Sequence, residues 1–356
     1  MHGKNGLHLL LIAALLAAFL FVSPLTQPQE VYAAGTVTDC STFGLTSTAV
    51  PFPVGTAVTI APGTLADALY DPIPANAAGP YNDRYGLDYV GGDITFACSG
   101  SIRLPQGWRI FVDDLGNSGS TTINAAGNVV TLRGFGNNIF YIDRANVTLI
   151  GLTLQEGQAS AGGAIYNTFG NLAAREVTLI NTTITNNRGN RGAGIYNVSG
   201  STTTLINSTV YGNTTIGGDH QGAGIYNGSG TVNVINSTIT GNTANAAGGG
   251  IYTATGTTTI KNSIIAGNSA TNAPDCSGAV VSQGYNLVQD ATGCTGLAAT
   301  DLTVVSPDLG AAALNGGVTM NFEPQTGSPA IDGVAAGFCT QTGDQRGQTR
   351  PQDGNG

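Results

Sequence analysis

Hydrophobic and polar residues alternate along this chain in short runs that end at Asn or Gly. In the run Val177-Thr178-Leu179-Ile180-Asn181, period two places Val177 and Leu179 on one side of an extended strand and Thr178 and Ile180 on the other. Similar runs, rich in Thr, Val and Ile, continue from residue 93 onward. The pattern predicts an all-β fold built from short strands.

The runs belong to a repeat. A Gly-Ile-Tyr-Asn phrase recurs with its isoleucine at positions 165, 195, 225 and 251, and a second phrase of the Asn-Ser-Thr-Ile type recurs from Asn181 onward, with Gly151 in the equivalent earlier position. The copies are 26 to 30 residues long, and one such unit cannot bury an apolar face alone, so the units must stack. A propeller blade would need about 40 residues. We therefore predict a parallel β-helix, a β-solenoid with one repeat per turn.

Two columns of side chains follow from stacking the repeats in register. One column reaches Lys261, and because a lysine belongs in water, we expect this column to face outward and its neighbour to face the core. The same alternation turns the repeat asparagines inward, where amides about 4.8 Å apart can bond one another. The outward column is Ile150, Ile180, Ile206 and Ile235; the inward column is Leu149, Leu179, Leu205, Val234 and Ile260; the asparagines are Asn181, Asn207, Asn236 and Asn262.

Two outward columns are candidate binding surfaces. An exposed isoleucine column suggests lateral association or filament packing, unless a loop or terminal segment of the same chain covers it. If Ile165 and Asn167 face the core, the tyrosine between them faces out, and the four repeat tyrosines form a ladder that stacks either on sugar rings or on itself. These tyrosines are Tyr166, Tyr196, Tyr226 and Tyr252.

Composition and charge restrict the partners and the compartment. The formal charge is −9, and Lys4 and Lys261 are the only lysines, so nucleic acid is not an expected partner. Residues 1–34 carry an apolar run and a small-residue site, with cleavage expected after Ala33 or Ala34, which indicates a secretory signal peptide and leaves no later membrane span. We divide the rest into an N-terminal cap region (35–92), solenoid coils (93–273) and a C-terminal closing segment (274–356).

Export places the five cysteines in an oxidising compartment. Cys276 and Cys294 lie near each other in the sequence and are the first expected disulfide, and Cys40 with Cys98 is the second. This leaves Cys339 alone. No cysteine pair has metal-ligand spacing, and His220 is the single histidine after residue 34, so we expect neither a metal site nor a cofactor.

One pair of loops could carry acid–base chemistry. When the repeats are aligned on the Gly-Ile-Tyr-Asn phrase, Arg188 and Arg191 lie in one loop. Asp219 and His220 lie in the equivalent loop of the next coil. A basic residue beside an acid and a histidine could abstract a proton from a substrate. The alternative interpretation is that these residues form an exposed ion pair that contributes little to stability. The acidic pair Asp113-Asp114 is interpreted as a solvated turn.

The repeat phrases and the tail together resemble bacterial surface proteins with a choice-of-anchor Q domain, which belong to the right-handed parallel β-helix proteins of the pectate-lyase-like type. The resemblance implies a right-handed coil and a cell-surface location. It also implies an ending with a Cys-Asp-Ile-Gly-Ala type motif, which would supply a partner for Cys339; because the chain stops at Gly356, we expect it to be truncated. The isoleucine column departs from the Thr or Ser typical of the family. The tail motifs that carry the resemblance are Gly284-Tyr285-Asn286-Leu287, Asn315-Gly316-Gly317, Ser328-Pro329-Ala330-Ile331-Asp332 and Asp344-Gln345-Arg346-Gly347-Gln348-Thr349-Arg350-Pro351.

The pectate-lyase-like fold hosts lyases and hydrolases as well as non-catalytic stalks, so the fold alone does not decide the function. The repeats supply few of the paired carboxylates that glycosidases need or the acid clusters that hold Ca²⁺ in lyases. The sequence thus favours a secreted or cell-surface structural or adhesive module, able to contact itself or an extracellular polysaccharide or protein. A polysaccharide lyase or hydrolase is the alternative.

Overall fold

A computed structural model describes residues 58–60, 88–89, 92–96, 99–104, 108–111, 120–143, 145–168, 176–218, 220–335 and 337–350. The expected signal peptide, most of the N-terminal cap region, Cys40, Cys98 and Asp219 lie outside these residues. Within them, every regular element is a β-strand, and all the pairs between strands are parallel. The predicted all-β parallel solenoid is confirmed.

Successive turns of the solenoid pass through three long sheets in the same order, and three of the described turns add a strand to a short sheet. One turn consists of Asn146–Ile150 in sheet 1, Leu152–Gln155 in sheet 2, Gln158–Ala161 in a short sheet and Ile165–Thr168 in sheet 3. The following turn pairs in register with it, as Leu149 with Leu179 and Ile165 with Ile195. The repeat period is therefore one coil, and equivalent residues of successive repeats lie directly above one another.

The strands of the solenoid fall into four groups. Sheet 1 contains Val58–Ile60, Gly92–Phe96, Ser120–Asn124, Asn146–Ile150, Glu176–Ile180, Thr202–Ile206, Thr231–Ile235 and Thr257–Lys261. Sheet 2 contains Gly100–Leu104, Val130–Gly134, Leu152–Gln155, Thr183–Thr185, Thr209–Tyr211, Thr238–Thr240, Ile264–Ala266, Leu287–Val288 and Leu302–Thr303. Sheet 3 contains Asp88–Tyr89, Trp108–Phe111, Phe140–Asp143, Ile165–Thr168, Ile195–Asn197, Ile225–Asn227 and Ile251–Thr253. The short sheet contains Gln158–Ala161, Arg188–Arg191 and Thr214–Thr215. Cys276–Ser282 pairs with both sheet 3 and sheet 1, and Cys294–Thr295 pairs with it in turn.

The apolar core lies between sheets 1, 2 and 3. The expected inward column is fully buried from Leu149 to Ile260, whereas the neighbouring column from Ile150 to Lys261 is partly exposed, as alternation requires. Sheet 3 contributes Ile165, Ile195 and their equivalents to the same core. The assignment of faces on sheet 1 is thus confirmed.

Polar side chains also run through the interior, in two continuous ladders. In the first, the Nδ2 atom of each asparagine donates to the Oδ1 atom of the next, at 2.9 Å from Asn187 to Asn213, from Asn213 to Asn242 and from Asn242 to Asn268, and Asn268 donates at 2.9 Å to the carboxylate of Asp275. The second ladder joins Asn167 to Asn197 at 3.0 Å and Asn197 to Asn227 at 3.2 Å. Because each amide both donates and accepts, the ladders satisfy buried polar groups without water.

The expected ladder of Asn181, Asn207, Asn236 and Asn262 was wrong. These residues have φ of 49° to 51°, in the left-handed region, and so does Gly151 at 68°. Such a turn breaks the period-two alternation, and the amides of Asn207 and Asn262 face outward to donate to carbonyl groups of Gly343 and Phe338. The residue after each asparagine takes the inward position instead, as for Ser208, which is 1% exposed. We call this turn between sheets 1 and 2 the asparagine corner.

The C-terminal segment (residues 304–335 and 337–350) returns along the outside of the solenoid at the asparagine corner. Thr319 Oγ1 donates to the carbonyl of Asn181, and Gln345 bridges two coils by donating to Thr183 at 3.0 Å and accepting from Thr209 at 2.7 Å. The rings of Tyr211 and Phe322 meet edge to face at 5.1 Å. The segment is thus held against two successive coils.

Two further sequence predictions concern the end of the chain. The expected disulfide between Cys276 and Cys294 is present, with the Cα atoms 5.3 Å apart. Cys339 is partly exposed and forms no disulfide with another described cysteine. Among the described residues, no helix is long and apolar enough to cross a membrane.

Candidate functional site

The repeat tyrosines form one stack on the outer face of sheet 3. The ring centroids are 5.1 Å apart from Tyr166 to Tyr196 and from Tyr196 to Tyr226, and 5.3 Å apart from Tyr226 to Tyr252. The stack extends one coil further than the sequence indicated, because Tyr141 lies 4.9 Å from Tyr166. Tyr141 belongs to the phrase Phe140-Tyr141-Ile142, which lacks the repeat consensus but keeps its alternation.

The stacking decides which part of each ring can meet a ligand. With centroids about 5 Å apart, each inner ring has a neighbouring ring on both of its faces, so the column presents ring edges and hydroxyl groups to solvent. Sugars stack on ring faces, which are free only at the ends of such a column. The geometry favours tyrosine packing as a stabilising feature, and sugar binding by Tyr196 or Tyr226 remains a hypothesis.

An arginine joins this surface from the short sheet. The guanidinium carbon of Arg191 lies 5.6 Å from the centroid of the Tyr226 ring, within the range of a cation–π contact. Burial raises the pKa of the Tyr226 hydroxyl, and the charge of Arg191 opposes that rise. Arg191 and Tyr226 therefore form a polar patch at the edge of the tyrosine stack, which spacing alone could not identify.

The candidate acid–base cluster is described for three of its four residues, Arg188, Arg191 and His220. Arg188 and Arg191 are exposed at the two ends of one strand of the short sheet. Arg188 pairs in register with Thr214, while the backbone N–H of Gly192 bonds the carbonyl of Gln221. Among Arg188, Arg191 and His220, no hydrogen bond or ion pair forms, and His220 Nδ1 is buried without a partner among the described residues. Asp219 lies outside the described residues, so the cluster itself stays a hypothesis.

The isoleucine column of sheet 1 is partly exposed at all four positions. The column continues in register to Asn124 at one end and to Lys261 at the other. The apolar part of the column is therefore flanked by a polar residue at each end. The C-terminal segment lies at the adjacent asparagine corner, where Val318 approaches Gly151. Association through Ile150, Ile180, Ile206 and Ile235 remains a prediction.

A cavity of about 320 Å³ lies between the asparagine corner of the last coils and the C-terminal segment. Asn236, Thr238 and Leu287 line its solenoid side, and Ile331 and Arg346 line the opposite side. The sequence does not predict this site, because the site depends on contacts between residues more than 100 positions apart. The only sequence feature that points to this region is the Asp-Gln-Arg-Gly phrase of the tail, which the sequence alone presents as a family motif.

No group of three or more His, Cys, Asp or Glu side chains suited to a metal ion occurs in the part of the chain that the structure describes. The chain has no significant match to any protein-family model, curated protein or solved structure with which it was compared. The class that the fold defines is the parallel β-solenoid.

Proposed function

We propose that this protein is a structural or adhesive module of the cell surface, exported by residues 1–34 and built as a rigid solenoid. The observation that carries the proposal is the continuity of side-chain ladders from coil to coil. The interior amide ladder runs from Asn187 to Asp275, and the tyrosine stack runs alongside it from Tyr141 to Tyr252. Because every coil bonds its neighbours through backbone and side chains, bending the rod would break many contacts at once.

The outward surfaces fit a binding or packing role better than catalysis. In the described residues, the ion pair between Arg133 and Glu156 is exposed, and no group of three or more His, Cys, Asp or Glu side chains suited to a cation occurs. Glycosidases need two carboxylates across a substrate, and lyases need acids that hold a cation beside a base. Two long, regular faces instead offer repeated contacts to a polymer or to a second copy: the tyrosine edges of sheet 3, and the threonines and isoleucines of sheet 1.

We further propose that the coil is right-handed and related to the choice-of-anchor Q proteins of the pectate-lyase-like type. The tail phrases support this proposal, and so does the position of Asp344-Gln345-Arg346: Asp344 holds Arg346, and Gln345 bonds two coils, so the phrase acts as a fastening of the C-terminal segment. The Asp-Gln-Arg phrase of the tail thus has a structural role on this fold. Polysaccharide lyase or hydrolase activity through Arg188, Arg191, Asp219 and His220 is the second candidate.

Expression of the full chain in a bacterium tests the surface role. We expect mass spectrometry to find a mature N-terminus at Ala34 or Gly35, and external protease to remove the protein from intact cells while a cytoplasmic marker survives. A protein that keeps residues 1–34 and stays protected inside intact cells would contradict the proposal. A variant with charged residues in place of the apolar run from Leu9 to Val22 is the matched control and should remain inside.

A further inference from the structure

The outward face of sheet 1 carries a regular array of side chains whose central column is mostly threonine. From Ser120–Asn124 to Thr257–Lys261, each strand pairs with the next without a shift of register, so equivalent outward residues lie one above another. The isoleucine column, with Asn124 and Lys261 at its ends, lies on one side of the central column. We call the three outward columns together the threonine face. The central column is Thr122, Thr148, Thr178, Thr204, Asn233 and Thr259, and the third column is Ser120, Asn146, Glu176, Thr202, Thr231 and Thr257.

The register gives the threonine face a repeat in two directions. Neighbouring strands lie about 4.8 Å apart, and alternate residues of one strand lie about 6.6 Å apart, so equivalent side chains recur at both distances. Threonine and isoleucine are branched at Cβ, which restricts χ1 and keeps their hydroxyl and methyl groups close to fixed positions. The face is therefore an ordered array of groups before any partner arrives.

Most hydroxyl groups of the central column are open to an external partner. Thr148, Thr178 and Thr259 are partly exposed, and their hydroxyl groups form no hydrogen bond with another described residue. Thr204 differs, because its hydroxyl donates to the Glu176 carboxylate at 2.6 Å and accepts from Asn233 Nδ2 at 3.2 Å. The column thus offers repeated donors and acceptors beside the methyl groups of the isoleucine column.

Charge restricts the kind of partner. Glu176 and Lys261 are the only charged residues of the threonine face, although the whole chain has a formal charge of −9. An ionic polymer would need charges of the opposite sign, and sugar rings would need aromatic side chains to stack on, of which this face has none. The partner that complements the face in charge is itself uncharged, periodic in two directions and able to form hydrogen bonds.

The surface of ice has these properties. Its water molecules form an uncharged hydrogen-bonding lattice, and the repeat distances of that lattice are close to the strand spacing and to twice the rise per residue of a strand. Water molecules that bridge successive hydroxyl groups, such as those of Thr148 and Thr178, would continue the lattice onto the protein. We propose that the threonine face binds ice. This function goes beyond the proposed surface role and needs neither the tyrosine stack nor a polysaccharide.

Partition of the whole protein into growing ice tests the proposal. A dilute solution that also contains serum albumin is frozen slowly on a cold surface, and both proteins are measured in the ice and in the remaining liquid. Dilution is needed because association through the isoleucine column would cover part of the same face. We expect at least tenfold enrichment of the protein over albumin in the ice, and faceted ice crystals. Exclusion of the protein together with albumin overturns the proposal, and retention on crystalline cellulose or chitin in that case assigns the array to a polysaccharide.

Variants connect the partition to the central column. Thr178→Lys and Thr259→Lys each place a charge in the array, and the fold should tolerate both because Lys261 occupies the adjacent column. Each should lower the enrichment at least threefold. Thr240→Lys makes the same change on the partly exposed outer side of sheet 2 and should partition as the wild type does. Circular dichroism confirms that each variant is folded. Wild-type enrichment in both Thr178→Lys and Thr259→Lys, or an equal loss in Thr240→Lys, would overturn the proposal.

Discussion

Asn213 Nδ2 donates to Asn242 Oδ1 at 2.9 Å in the interior of the solenoid, while Asn213 Oδ1 accepts from Asn187. The same bond recurs from coil to coil. Asparagine side chains therefore connect successive turns in the interior, in addition to the apolar packing of the core. The same side chain also bonds the carbonyls of Ile184 and Tyr211. Its removal therefore leaves several buried groups unpaired at once.

Replacement of Asn213 by alanine should be strongly destabilising. Asn213 is fully buried, and the loss of its bonds to two neighbouring coils should lower the free energy of unfolding by about 2–4 kcal/mol. Chemical denaturation followed by circular dichroism measures this change. Asn233→Ala, on the partly exposed face of sheet 1, is the control and should cost less than about 1 kcal/mol. Equal losses in the two variants would show that the ladder adds nothing.

Asp275 ends the interior ladder and should give it a pH dependence. It is 1% exposed, and burial raises the pKa of its carboxyl group against the hydrogen bonds from Asp290 and Asn268. A carboxyl whose pKa is higher in the folded state binds its proton more tightly there, so its contribution to stability is largest below the unfolded pKa and declines as pH rises through the folded pKa.

Comparison of the wild type with Asp275→Asn isolates this effect. The difference in unfolding free energy between the two proteins should change as pH rises from about 3 to 7, with the wild type losing stability relative to the variant above the ordinary pKa of 3.8. Urea denaturation at each pH gives the difference. A pH-independent difference, or a relative gain of the wild type at higher pH, would contradict the assignment.

The isoleucine column should control self-association. Ile206→Lys places a charge in the middle of the partly exposed column, and the fold should tolerate it because Lys261 occupies the same column. Multi-angle light scattering should show assemblies of the wild type and a smaller mass for the variant. Asn233→Lys, on the same face but outside the column, should leave the mass unchanged. A monomeric wild type would end the association hypothesis.

The tyrosine stack should contribute to stability whether or not it binds sugar. Tyr226→Ala removes two ring contacts and the partner of Arg191, which should lower the free energy of unfolding by about 1–3 kcal/mol. Tyr226→Phe keeps the ring and should retain most of that stability. If both variants unfold with the wild-type midpoint, the rings add no stability through stacking.

The sequence predicted most of the solenoid because its alternation and period are local signals. The period-two alternation separates Leu149 and Leu179 from Ile150 and Ile180. The lysine at the end of the isoleucine column then assigns that column to the surface and the leucine column to the core. The corner asparagines were assigned wrongly because their left-handed φ reverses the direction of the side chain, which an alternation count cannot detect. The actual ladder is formed by asparagines such as Asn213 and Asn242, each of which follows a glycine shortly after the Asn-Ser-Thr-Ile phrase.

The cavity could not be predicted for a different reason. It lies where the C-terminal segment returns to the solenoid, and Gly343 and Gln345 in that segment bond Asn207 and Thr209, 136 residues earlier. The periodic pattern of the repeats does not indicate where the nonrepetitive C-terminal segment packs against the solenoid. The extension of the tyrosine stack to Tyr141 was missed because that coil lacks the repeat phrase.

The most direct test of a non-catalytic surface solenoid uses purified protein and a panel of acidic and neutral polysaccharides, with retention on the polymer and bond cleavage measured in the same samples. We predict retention on at least one polymer, with no new reducing ends and no unsaturated products. New ends or unsaturated products that disappear in Arg188→Ala or His220→Ala would contradict the account and establish the enzyme in its place.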